Sequence, residues 1–193
     1  MLVLVEGESD AGVVHALAGL LRLNLSDIGV EVRSAAGITN FPRILSEFVE
    51  TNSGEAFCGM YDAADERHVR RALARVGLRI GSEESIEPHG FFACEADLED
   101  ELIRALGTSV VEATVESQGE LASLRRFQAM PEHRGSSAHA QLHRFLGTRA
   151  TRKIRSARLL GERLDPLNLP GPLKNLAGRL QVAAMAAHRA SDA

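Results

Sequence analysis

The sequence predicts an α/β protein: a parallel sheet flanked by helices, followed by a C-terminal helical extension. Short, near-continuous apolar runs alternate with amphipathic segments over the first hundred residues, the pattern of strands covered on both faces and joined by crossover helices. Strand-like runs stop near residues 117–120, and from about Glu120 the chain reads as helical. The charge changes sign in the same region: residues 1–107 carry 19 acids and 9 bases, residues 108–193 carry 7 acids and 13 bases. These observations place an α/β domain at residues 1–118 and a helical extension, packed on it, at 119–193.

The elements follow in order. MLVLVEG is a short apolar run closed by Gly7, a buried strand. In AGVVHALAGLLRL, Val13, Val14, Leu17, Leu20 and Leu21 recur at helical spacing, with Ser9 or Asp10 available as the cap. GVEVRSA alternates like a strand and stops near Gly37. The next helix runs from about Phe41 to Val49, with Pro42 in its first turn. EAFCGMY is a second buried run ending at Asp62, and AADERHVRRALARVG sets a charged face opposite Val69, Leu73 and Val76. After a Gly/Ser/Glu loop, HGFFACE is a further strand. ADLEDELIRALG is a helix with Leu98, Leu102, Ile103 and Leu106 on its stripe. VVEATVES, rich in β-branched residues, is expected as a fifth, edge strand. The helical remainder is expected to break near Pro131–Ser137 and Pro166–Pro172.

Composition removes several function classes. With 45% hydrophobic and 25% charged residues, the chain is an ordinary globular protein and not a disordered or disulfide-scaffold one. The apolar run Met1–Val5 is too short for a signal peptide, and no membrane segment is expected. Cys58 and Cys94 lie in apolar runs far apart and lack metal-ligand spacing, so they read as buried free thiols of a cytoplasmic protein. Lys153 and Lys174 are the only lysines among 22 basic residues. Neither is followed by Ser or Thr, so there is no P-loop for ATP.

The acids stand where an α/β sheet puts its ligands, outside the carboxyl ends of the strands. The first strand ends in Glu6, with Asp10 one turn on. The third ends in Asp62, with Asp65 close by. FFAC ends in Glu95, followed by Asp97 and Glu99. Carboxylates brought together repel, and hard oxygen ligands of this kind suit Mg²⁺ or Mn²⁺; two such ions can stabilise both the attacking and the leaving oxygen of a phosphodiester displacement. The same acids have structural uses: Asp10 and Asp97 are good helix caps, and Asp65 and Glu66 suit a first helical turn. Glu6 and Asp62 are needed for neither.

LVEGESD resembles the first motif of the Toprim domain, and GMYDAADE its second, acid-pair motif. With GITNFPRIL between them, ADLEDEL after them and FLGTRATRKIRSARLL further on, residues 1–163 look most like the Toprim domain of the OLD (overcoming lysogenisation defect) nucleases. That resemblance implies a metal-dependent nuclease or nucleotidyl-transfer site. Glu6 becomes a metal ligand or general acid–base, Asp10 a ligand of a second metal, Asp62 the central ligand, and Asp97 and Glu99 complete the cluster. Lys153 faces the scissile phosphate. Two departures stand out. The second motif is usually Asp-x-Asp, but position 64 is Ala64, so either one metal site is weakened or the second ligand comes from Asp65 or Glu66. OLD proteins also carry an ATPase domain ahead of the Toprim domain, whereas this chain opens on the Toprim strand, which points to stand-alone action or a separate ATPase partner.

Other signals are weaker. Thr39 and Asn40 form a polar turn near the same sheet edge and are candidates for a substrate strand, as well as a simple helix entry. Arg149 and Arg152, in a basic stretch from Arg144 to Arg163, are candidates for nucleic-acid phosphates. His139 and His143, at i,i+4 without a third ligand, read as a solvated or half-buried pair. The expected function is a metal-dependent endonuclease acting on nucleic acid, DNA ahead of RNA. Two other readings fit the same residues: a weakened Toprim module that binds an ATPase or nucleic acid, suggested by Ala64, and a receiver-like signalling domain.

Overall fold

A computed structural model describes residues 1–191. Four strands, β1 (Leu2–Val5), β2 (Glu31–Ser34), β3 (Phe57–Asp62) and β4 (Phe91–Cys94), form one parallel sheet in the order β2-β1-β3-β4. Nine α-helices surround it among the described residues: α1 (Glu8–Leu20), α2 (Phe41–Thr51), α3 (Glu66–Arg75), α4 (Leu98–Leu106), α5 (Thr108–Ser117), α6 (Leu121–Ala129), α7 (Ala138–Gly147), α8 (Ala150–Gly161) and α9 (Gly171–Ser191).

The pleat divides each strand between two cores. Val3 and Val5 of β1, Cys58 and Met60 of β3, and Phe92 and Cys94 of β4 face one side, where Val13, Val14 and Leu17 of α1 and Leu102 of α4 cover them. Leu2, Leu4, Tyr61 and Phe91 face the other, under Ile44 and Leu45 of α2 and Val69 and Leu73 of α3. The first core continues into Leu142 and Phe145 of α7, Leu160 of α8 and Leu173 and Leu180 of α9. Both cysteines are buried free thiols. No helix among the described residues is long and apolar enough to cross a membrane.

One packing contact matters for the site. α8 lies along α1, and Gly161 makes the approach possible: a Cβ there would stand 3.0 Å from the Ala16 Cβ. This brings the N-terminal turns of α8 to the end of the sheet where β1 stops.

Two expectations are corrected. Residues Val110–Ser117 are not a fifth strand but most of α5. Its buried residues, Val111, Thr114 and Val115, keep helical spacing, and the Thr114 hydroxyl donates to the Val110 carbonyl one turn back at 2.8 Å. Burial of this stripe overrides the β-branched propensity. Neither Ser9 nor Asp10 is the N-cap residue of α1, which begins at Glu8 after Gly7; Asp10, in the first turn, reaches back and accepts from the Gly7 N–H at 2.8 Å.

Candidate metal centre

The strand order places β1 beside β3, and the chain leaves β1 for β2 on one side and returns to β3 on the other. This reversal opens a crevice at the carboxyl ends of β1 and β3, the position where α/β sheets bind ligands. Glu6 follows β1 and Asp62 ends β3, so the two carboxylates meet across it. A cleft of about 220 Å³ occupies the crevice, lined by Glu6, Ser9, Asp10, Asp62, Glu99 and Lys153, with the backbone turn Ser34–Gly37 as its far wall.

One oxygen from each of Glu6, Asp62 and Asp65 lies within 4.8 Å of the others, the only such set of three acidic, His or Cys side chains among the described residues. Asp65 supplies the third oxygen although Ala64 holds the motif position. The chain leaves β3 through a tight turn at Ala63–Asp65, which carries Asp65 round toward Glu6 and Asp62. Glu66 goes elsewhere, to Arg70 at 2.6 Å.

Asp10 and Glu99 also line the cleft, on its α8 side. Glu99 is 4% exposed; its Oε2 stands 3.2 Å from Lys153 Nζ, and its Oε1 is buried without a hydrogen-bond partner. Asp97 is used differently. As the N-cap of α4 it accepts from the Asp100 N–H at 2.8 Å, and its other oxygen pairs with His143 Nε2 at 2.7 Å.

The electrostatics follow from packing like charges in a half-buried crevice. Burial, then the charges of Glu6, Asp97, Asp10 and Glu99, push the Asp62 carboxyl up to about 7. Burial also raises Glu6, helped by Asp10 and Asp65 and opposed by Lys153 and His68. Burial raises Asp10 and Glu99 as well, against the pull of Lys153. For Lys153, burial acts downward, but Glu99, with Asp10 and Asp97 behind it, holds the ammonium above the usual lysine range. A cluster whose acids resist ionisation is one that a cation would relieve. Three hard carboxylate donors within reach of one point suit Mg²⁺ or Mn²⁺.

The remaining expected residues are placed as follows. Thr39 is exposed beyond the turn, and Asn40 donates its amide to the Ala35 carbonyl at 2.9 Å, fixing the turn that walls the cleft. Arg149 is exposed at the start of α8. Arg152 is not on the surface where a phosphate contact requires it. It is 4% exposed, its Nε donates to Glu120 Oε2 at 2.7 Å, its Nη1 also donates to Thr148 Oγ1, and its guanidinium stacks on Phe145 at 3.9 Å. The half-buried His139 and His143 pair with Asp100 at 2.6 Å and Asp97 at 2.7 Å. Sequence reasoning found the histidines but not their partners, which lie about forty residues away. It also missed Ser9 and Ser34 in the lining, small polar residues with no distinguishing spacing.

No protein-family model matches the sequence, and no curated protein matches it. Among solved structures, the C-terminal region of the Xanthomonas campestris pv. campestris OLD protein, phased with iodine, superposes with a TM-score of 0.69 at 20% identity, covering 97% of each chain. The C-terminal region of the Burkholderia pseudomallei OLD protein superposes with a TM-score of 0.62 at 23% identity, covering 94% of this chain and 97% of that one. The chain therefore has the fold of the C-terminal region of OLD proteins, the fold its motifs predicted.

Proposed function

We propose that this chain is the cleavage module of a divalent-metal-dependent nuclease, acting on phosphodiester bonds of nucleic acid, with DNA the favoured substrate. The observation that carries the reading is the convergence of Glu6, Asp62 and Asp65 on one point at the sheet's switch in strand order. Mg²⁺ or Mn²⁺ bound there supplies Lewis-acid stabilisation of the charge that develops on phosphodiester oxygens. Glu6, held above the usual carboxylate range, is suited to take a proton from an attacking water. The Lys153 ammonium presents a fixed positive charge to the same cleft, opposite a scissile phosphate. Arg149, exposed at the start of the same helix, and Thr39 beyond the turn flank the cleft as candidate contacts to the substrate backbone.

The OLD resemblance adds an ATPase as a functional partner. These 193 residues contain no P-loop, so that activity belongs to another module.

The test is nicking of supercoiled plasmid DNA with Mg²⁺ or Mn²⁺, comparing the wild type with Glu6→Gln and Asp62→Asn. Metal-dependent nicking by the wild type, reduced at least a hundredfold in both variants, is expected. Wild-type protein inert with both metals would refute stand-alone cleavage, and equal nicking by all three proteins would assign the activity to a contaminant.

A further inference from the structure

The sheet has an open edge. β2 pairs with β1 along one side, and among the described residues no strand lies on its other side. In this parallel ladder the Glu31 and Ala35 N–H groups donate to the Met1 and Val5 carbonyls, which turns the N–H and C=O of Val32 and Ser34 outward. An unpaired edge of this kind is a template for another strand. Beside it runs a groove of about 790 Å³ between β2, α1 and α8, lined in part by Ala11, Gly12, Val32, Ser34, Ile154 and Leu159. Ile154 is 42% exposed, one of few large apolar side chains left at the surface. Strand addition uses both features, free main-chain groups for hydrogen bonds and a groove for side chains.

The charges select the strand. The groove is no track for a phosphate backbone: Arg158 is paired with Glu162 at 3.0 Å and Arg155 with Glu120 at 3.3 Å, and Glu8 stands at the same border. On the opposite face of β2, Glu31 and Arg33 lie two residues apart, with 2.6 Å between Oε1 and Nη2, and both side chains reach solvent. An acid and a base at i and i+2 make the edge complementary to itself. When two copies pair antiparallel with Val32 opposite Val32, each Glu31 falls opposite Arg33 of the second copy. That position is a non-hydrogen-bonded one, where Cα atoms stand about 4.5 Å apart and side chains meet. A shift of two residues one way sets Glu31 against Glu31, and the other way Arg33 against Arg33, both destabilising.

We propose that β2 is a homodimerisation edge: two copies of the chain join antiparallel through β2, with Val32 against Val32 and Glu31 against Arg33, and their sheets become one. The two-fold axis stands perpendicular to the sheet, so the two grooves open on the same face and meet across it, covering Ile154. A patch that contacts itself in this way closes at two copies. The inference stands apart from the cleft and does not depend on the reading of the triad as a metal site.

The experiment is sedimentation velocity of the full chain over a concentration series from the low-micromolar to the near-millimolar range, with circular dichroism to check folding. Wild type is expected to pass from monomer to dimer. Glu31→Arg sets arginine against arginine, and Arg33→Glu sets acid against acid; each variant alone is expected to dimerise at least about tenfold more weakly. Mixed in equal amounts, the two variants pair opposite charges at both positions. The mixture is expected to recover the wild-type dissociation constant within about threefold, which a general loss of stability would not do. If one single variant does not fold, the double exchange Glu31→Arg/Arg33→Glu takes the place of the mixture and is expected to dimerise like wild type. Wild type that stays monomeric throughout would overturn the inference and leave the edge to a strand from a different protein. A dimer equally strong in both single variants would overturn it by placing the interface elsewhere, and so would a mixture of folded variants that stays monomeric.

Discussion

His143 on α7 closes on Asp97 at the head of α4, with Nε2 2.7 Å from Oδ2, while the other oxygen of Asp97 caps α4 through the Asp100 N–H. One turn back, His139 pairs in the same way with Asp100. Two rungs thus hold α7 against the helix that delivers Glu99 to the cleft. With both oxygens engaged, Asp97 has a structural task. Asp97→Ala is expected to cost about 1–2 kcal/mol in urea unfolding through loss of the cap and the pair. Asp97→Asn, which retains a capping oxygen, is expected to cost less than half of that and to leave Mn²⁺ affinity within about threefold. A tenfold loss of affinity in Asp97→Asn would make Asp97 a ligand.

The opposite outcome is expected at Asp65. Its carboxylate, not one at position 64, completes the triad with Glu6 and Asp62. Asp65→Asn is expected to weaken Mn²⁺ binding at least tenfold, whereas Glu66→Gln, whose acid is already paired with Arg70, is expected to leave it unchanged. Calorimetric titration of the two variants side by side is the check.

Stability should depend on pH in a direction set by Asp62. Its pKa in the folded protein, about 7, lies above the usual aspartate value. Between the two values the folded state therefore binds more protons than the unfolded one, and stability falls as pH rises through this window. Glu6, Asp10 and Glu99, also raised, act in the same sense. The metal-free protein is expected to melt at a lower temperature at pH 8 than at pH 5.5. Saturating Mn²⁺ should remove most of that difference, because a bound cation favours the ionised acids. A melting temperature that rises with pH in chelator would contradict the picture.

The parts of the site legible in the sequence are those set by local pattern. Glu6 and Asp62 directly follow apolar runs, so the end of each strand could be read off the chain, and a parallel sheet then brings them together. Asp65 was ambiguous because an extended chain puts residues i and i+2 on one side, which favours position 64. The chain instead turns tightly at Ala63–Asp65, and with about three residues per turn it brings Asp65 back toward Asp62. Arg152 and Lys153 are adjacent in a basic stretch, yet about 100° apart around α8, so one enters the core and the other the cleft. Which does which depends on α5 and α7, which pack against α8. The misread α5 has the same origin: its β-branched residues favour a strand, and only the surface it buries makes it a helix.

Arg152 should accordingly behave as a core residue. It ties α8 to Glu120, Thr148 and the Phe145 ring, and its removal leaves Glu120 without its main partner. Arg152→Ala is expected to destabilise the fold by about 2–4 kcal/mol. Arg152→Lys should recover little of this, since an ammonium cannot both stack and fork. Arg149→Ala, at an exposed position, is expected to leave stability within about 0.5 kcal/mol and to weaken DNA binding with a reduced salt dependence. Urea unfolding and fluorescence anisotropy at two salt concentrations separate the two residues.

Gly59, in the middle of β3, controls how closely β1 and β3 approach, and therefore how Glu6 meets Asp62. A Cβ at this position would run into the Leu4 carbonyl oxygen on β1 and the Phe91 ring on β4. Neither neighbour can yield, because Leu4 is a wholly buried backbone position and Phe91 is a fully buried ring packed against Phe41 and Phe57. Even one methyl group must therefore push the strands apart at the centre of the sheet. Gly59→Ala is expected to cost at least about 2–3 kcal/mol by overpacking. Because the strands that carry Glu6 and Asp62 move with it, Mn²⁺ affinity should fall even at temperatures where the variant is still folded. A destabilised but folded Gly59→Ala protein with undiminished Mn²⁺ binding would show that the triad does not depend on the spacing of β1 and β3.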